Sequence, residues 1–98
     1  MTFRTSFHQL AELELKEAAQ YYESEVAGLG KTFVDEVEHT LKQIALHPEA
    51  ALMIHDVVHR KLVRRFPYSI MYSIVDDTIR ILAIANQKRR PFYWRVRK

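Results

Sequence analysis

YSIMYSIVDDTIRILAIA, residues 68–85, is the stretch whose reading decides the fold. Tyr68, Ile70, Tyr72 and Ile74 alternate with Ser69, Met71, Ser73 and Val75, the period-2 pattern of a strand with two unlike faces. Asp76-Asp77-Thr78 supplies short polar side chains able to bond their own backbone, which reads as a tight turn. Ile79 to Ala85 is almost wholly apolar, as expected of a central strand covered on both faces. The two strands and their turn make an antiparallel hairpin.

On the N-terminal side the period is different. Ala11, Leu15, Ala18, Tyr22 and Val26 recur every three or four residues, with Glu12, Glu14, Lys16, Glu17, Gln20 and Glu23 between them, the pattern of an amphipathic helix. Ser6 is the expected N-cap, since a hydroxyl can accept from a free first-turn amide. Gly28-Leu29-Gly30 interrupts the pattern with the length of a helical-hairpin turn. Phe33, Val37, Leu41 and Ile44 form the stripe of a second helix, which closes before Pro48 because the residue ahead of a proline avoids the α region. Phe3 to Phe7 reads as a short edge strand, and the basic stretch around Leu62 and Val63 as another. The expected order is β-α-α-β-β-β, a helical hairpin laid on a mostly antiparallel sheet: an α+β fold in one domain over residues 1–98.

The 98 residues are 48% hydrophobic, enough for one modest core. With no cysteine there is no disulfide framework and no thiolate metal site, which suits a reducing cytoplasm. No apolar run approaches the ~18 residues of a membrane span, and the N-terminus lacks the apolar core of a leader peptide. The net charge of +3 conceals an asymmetry. Residues 1–49 carry four Lys/Arg against nine Asp/Glu, and residues 50–98 carry eleven against three. Such a split hints at an anionic partner for the basic half, although a solvated acidic face beside a solvated basic one has the same composition.

The basic half ends in NQKRRPFYWRVRK, residues 86–98, where Lys88, Arg89, Arg90, Arg95, Arg97 and Lys98 surround Phe92, Tyr93 and Trp94. Guanidinium groups grip phosphates bidentately and aromatic rings stack on unpaired bases. The alternative is that Trp94 folds back as a lid while the cations stay in water. A second cluster, Arg60, Lys61, Arg64 and Arg65, lies on the preceding strand. Alternation there sets Lys61, Val63 and Arg65 on one face and Leu62 with Arg64 on the other, and cations on an edge strand also guard against aggregation. His55 and His59, four apart in an expected loop, make no metal site, and no nucleophile triad or phosphate-binding glycine loop is present.

Five segments together resemble one family. AELELKEAAQYY (11–22), GLGKTFVDEV (28–37), HPE (47–49), RRFPYSIMY (64–72) and ILAIANQKRRPFYW (81–94) are similar, in the same order, to the ParE/RelE superfamily of type II toxin–antitoxin toxins, also called plasmid stabilisation proteins. The resemblance implies a bacterial or archaeal cytoplasmic toxin bound by a cognate antitoxin in a hetero-oligomer, with no cofactor, metal or membrane. RelE-like members cleave mRNA in the ribosome by 2′-hydroxyl attack; ParE-like members inhibit DNA gyrase without known enzyme activity. Lys88, Arg90 and Tyr93 fall near the C-terminal positions that RelE-like members use in catalysis. Ser69, however, stands where those members place an arginine. The FPYxIxY and RRPxYW wording is closer to the ParE-like branch, so gyrase inhibition is the favoured expectation. A ribosome-dependent ribonuclease and a non-toxic basic binding domain of the same fold are the alternatives. Lys61, Arg65, Lys88, Arg89, Arg90 and Trp94 are the expected target-contacting residues.

Overall fold

The computed structural model describes residues 3–98. The elements are β1 (Arg4–Phe7), α1 (Gln9–Glu25), α2 (Leu29–Leu46), β2 (Leu52–His55), β3 (Val58–Leu62), β4 (Tyr68–Val75) and β5 (Thr78–Asn86). They form one five-stranded sheet in the order β1-β5-β4-β3-β2. Only β1 runs parallel to its neighbour, β5; the other pairs are antiparallel. The α+β plan expected from the sequence is present with one more strand. That strand is β2, which pairs with β3 and brings the supposed loop histidines onto a hairpin.

The alternation along β4 sorts its side chains. Tyr68, Ile70 and Tyr72 enter the core beneath the helices with Phe33, Val37 and Ile44, whereas Met71 joins a smaller cluster on the opposite face. Phe33 lies 5.0 Å from both Phe66 and Tyr68 and 5.2 Å from Tyr22, ring centre to ring centre, mostly edge to face as aromatic quadrupoles prefer. The Tyr72 hydroxyl donates to the Pro48 carbonyl at 2.6 Å, which fixes the chain leaving α2. His59 stacks on Tyr72 and its Nδ1 bonds the Ala51 carbonyl at 2.9 Å, whereas His55 packs near Phe92 and Trp94. The two histidines are on opposite faces and do not converge.

Strand β5 departs from simple alternation. Met71 pairs with Ala83 and Tyr72 with Ile81, so Leu82 is an extra residue in the ladder, a β-bulge. The bulge lets Ile79, Ile81 and Ile84 all face the helices, while Leu82, Ala83 and Ala85 join the opposite cluster.

Two local expectations are corrected. His8, not Ser6, caps α1: its Nδ1 accepts from the Leu10 amide at 3.0 Å, and Ser6 stays in β1, accepting from Arg80 at 2.6 Å. The inter-helix turn ends earlier than Gly30. Gly28, at φ 88°, is the N-cap of α2, in a left-handed conformation that glycine adopts without penalty. Gly30 lies inside α2, where an added Cβ would stand 2.5 Å from the Ala19 carbonyl oxygen; it marks the close approach of two helix backbones. Glu23 joins both ends of the connection, its carboxylate accepting from the Gly28 and Gly30 amides at 2.9 and 3.0 Å.

Candidate functional site

Helices cover one face of the sheet. The other is covered in part by residues 87–97, which leave β5, turn at Pro91 and fold back across the strands as a strap of successive turns. Trp94 anchors it. The indole is 2% exposed and packs with Val58, Met71, Leu82, Ala83 and Ala85, so it is a core residue and offers no open face to a partner. Phe92 adopts φ 59°, a costly backbone conformation for a bulky side chain, and remains 40% exposed with its ring 5.8 Å from Trp94.

The second anchor of the strap is Glu14. Strand β1 stops at Phe7, opposite Ile81, so among the described residues this side of β5 has no neighbouring strand beyond that point. The Ile84 amide donates instead to Glu14 at 3.1 Å, and the Leu82 carbonyl accepts from Arg97 at 3.0 Å. Arg97 also meets Glu14 in a two-pronged ion pair at 2.9 and 3.1 Å, and the Tyr93 hydroxyl donates to the same carboxylate at 2.7 Å. The Glu14 and Arg97 side chains are only 12% and 9% exposed. Burial, reinforced by the hydrogen bond to Glu14, raises the Tyr93 phenol well above its ordinary range, so it keeps its proton. The Arg89 guanidinium lies 4.0 Å over the Tyr93 ring.

Strap and sheet enclose a groove of about 370 Å³ on the open face. Its floor is Ser69 and Ala85, direct cross-strand partners with short side chains, beside Met71. Arg60 and Leu62 of β3 form one wall; Arg89, Arg90, Phe92 and Trp94 form the other. Among the described residues, no acidic side chain lines it. A second, shallower hollow between α1 and the end of β5 is lined by Glu14, Glu17, Tyr21, Lys88 and Arg89.

The expected site residues therefore separate into three places. Arg89, Arg90, Tyr93 and Trp94 border the open-face groove, with Trp94 supporting it from within. Lys88 belongs to the hollow beside α1, which Arg89 borders from its other side. Lys61 and Arg65 lie on the helix side: Lys61 faces Ile44, His47 and Tyr72, and Arg65 approaches Glu36 of α2 at 3.5 Å. Strand β3 ends at Leu62, so the expected alternation separates Lys61 from Arg60 and Leu62 but goes no further: Arg64, expected on the face of Leu62, approaches Glu36 at 4.0 Å beside Arg65. Arg60 rather than Lys61 reaches the face that carries Arg90.

The family described as the ParE toxin of the type II toxin–antitoxin system parDE matches this chain over residues 6–91. The chain belongs to the ParE toxin family. A solved structure described as the chromosomal ParDE TA system from P. aeruginosa superposes with a TM-score of 0.74 at 17% identity, covering 86% of this chain and 95% of that one. At this identity the likeness is one of fold. No curated protein sequence matches significantly.

In this ParE-family chain, sequence reasoning missed Glu14, Arg97 and Arg60. Glu14 had a visible signal: it lies three residues after Ala11 and four before Ala18, inside the apolar stripe of α1 and not on its polar face. Its pairing with Arg97 spans 83 residues and had none.

Proposed function

We propose that this ParE-family chain acts as a non-enzymatic toxin that inhibits DNA gyrase and is neutralised in the cytoplasm by a cognate antitoxin. The observation that carries the reading is the chemistry of the open-face groove, where a ribonuclease of this fold would have to work. Cleavage by 2′-hydroxyl attack calls for a group able to take a proton near neutral pH. The groove is lined by arginines, whose guanidinium groups offer donors and no acceptor, and by Tyr93, whose proton is held by burial and by Glu14. Among the described residues, no histidine, lysine or carboxylate lines it. On β4, Ser69 occupies the floor and carries no charge to offset a developing phosphate dianion. Binding, not bond cleavage, is what such a surface does well.

The antitoxin is expected to bring an acidic, partly apolar segment. Electrostatic complementarity to the basic second half of the chain would speed its association and make it salt-sensitive. Expression without antitoxin should block DNA replication and induce the DNA-damage response while bulk transcripts stay intact, and purified protein should reduce gyrase supercoiling in vitro. Transcripts cut at the ribosomal A site, with normal supercoiling, would replace this reading with the ribonuclease one.

A further inference from the structure

We propose that the open-face groove is a binding site for a nucleoside phosphate. Arg60, Arg89, Arg90 and the Ser69 hydroxyl would hold the phosphate, and Phe92 would lie against the base. The proposal does not rest on gyrase inhibition and goes beyond it.

Ser69 is the first ground. The residue is 3% exposed, yet its hydroxyl makes no hydrogen bond to another group among the described residues. Buried hydroxyls nearly always have partners. No fully enclosed side-chain polar atom in the described residues lacks one, so this hydroxyl opens onto the groove, where a ligand oxygen can reach it. The second ground is charge. Arg60 comes from β3 and Arg89 and Arg90 from the strap, so the cations converge from two walls, and none forms an ion pair among the described residues. No acid among the described residues lines the groove to offset Arg60 and Arg90, whereas Arg89 also borders the hollow that Glu14 and Glu17 line. A phosphate offers several oxygens to such a set, and guanidinium groups match its geometry in paired hydrogen bonds. The third ground is shape. The short Ser69–Ala85 pair leaves a depression walled by Met71 and Trp94, within the ~300–1,000 Å³ range of small-molecule sites. Phe92 stands at its rim with a partly open ring, next to His55. A ligand that is anionic at one end and flat at the other fits both halves.

The nucleoside phosphate can be a free nucleotide or the end of a single strand. Calorimetric titration of the full chain with ATP, dTTP, adenosine, inorganic pyrophosphate, a 5′-phosphorylated dT4 and tetraglutamate separates the cases. ATP should bind saturably at one site, with adenosine and pyrophosphate each at least tenfold weaker. The paired substitution Arg60→Ala/Arg90→Ala should weaken ATP at least tenfold. Lys61→Ala/Arg64→Ala removes the same charge from elsewhere and should change it less than twofold. Ser69→Ala, which deletes the hydroxyl and adds no bulk to the groove floor, should cost several-fold, with Trp94 fluorescence confirming the fold of each variant. A dT4 tenfold tighter than dTTP assigns the site to strand ends; equal or weaker binding assigns it to free nucleotides. Either result supports the site. Absence of saturable binding, equal losses in the two paired variants, or tetraglutamate or pyrophosphate as tight as ATP would overturn it.

Discussion

Replacing Glu14 by alanine tests how the two layers of the molecule are joined. The carboxylate accepts from the Ile84 amide, the Tyr93 hydroxyl and both terminal nitrogens of Arg97 at 2.7–3.1 Å. Removing it leaves the Arg97 guanidinium, 9% exposed, without its counter-charge. Breaking a buried pair from one side costs about 3–5 kcal/mol, because the remaining charge stays desolvated. A domain of this length has a total stability of only about 5–15 kcal/mol at ~0.05–0.15 kcal/mol per residue. The variant should therefore lose about a fifth or more of its stability and melt at least ~12 °C lower, taking ~4 °C per kcal/mol as the smallest shift for a small domain. Urea unfolding followed by Trp94, the single tryptophan, reports directly on the strap. Exposed Glu17→Ala is the control and should stay within about 0.5 kcal/mol. Glu14→Leu/Arg97→Leu should recover part of the loss, since no isolated charge remains, but not all. The Ile84 amide and Leu82 carbonyl still lack partners, at about 1–3 kcal/mol each. A loss below about 1 kcal/mol in Glu14→Ala would refute the view that this pair is buried and holds the strap.

Other outcomes follow from the same structure. Gly30→Ala should destabilise by at least about 1–3 kcal/mol in thermal unfolding, because the new methyl meets the Ala19 carbonyl rather than a movable side chain. The His8 pKa is lowered, first by burial and then by Arg97 and Arg80, so its contribution is fully present above its ordinary value of 6.5 and is lost as pH falls through the folded value. His8→Asn keeps a cap and should flatten the stability profile between pH 7 and 5. At the alkaline end, Tyr93 is raised, so its share of stability holds below its ordinary value of 10 and declines as pH rises towards the folded value; Tyr93→Phe should reduce that decline in urea titrations above pH 10. Replacing Lys88, Arg89 and Arg90 together by alanine should change the melting temperature little yet let cells tolerate the chain without antitoxin, whereas Trp94→Ala should lose about 3–5 kcal/mol as well as toxicity.

What the sequence revealed tracks how local each determinant is. The Tyr68–Val75 strand was legible because a two-faced strand writes its period into eight consecutive residues, and the Phe33–Val37–Ile44 stripe because one helix face does the same. Strand β2 escaped because Leu52 and Met53 are both exposed, so LMIH shows no alternation. Gly30 resembled a turn residue because a glycine required by helix contact looks the same in sequence as one required by dihedral angle. The site was half legible. The cations Lys88, Arg89 and Arg90 stand out by composition, but the partners that orient them do not. Arg60, Ser69 and Glu14 come from three different elements, and only the assembled sheet shows which of them share a face.

The parallel pairing of β1 with β5 has a consequence for the order in which the chain can acquire its shape. Arg4 finds its ladder partner only at Thr78, so the first strand made has no neighbour until nearly four-fifths of the sequence has been translated. Loop closure over such a span is slow relative to the local helical hairpin, which can form as soon as Leu46 emerges. A nascent chain would therefore carry α1 and α2 as an unfinished hairpin with its apolar side exposed, a state prone to aggregation or to capture by another protein. The groove depends on Trp94 and Arg97 and can close only after residue 97 has left the ribosome. A growing copy thus lacks the groove until the strap has emerged, and the helical hairpin is available to a partner before the groove exists.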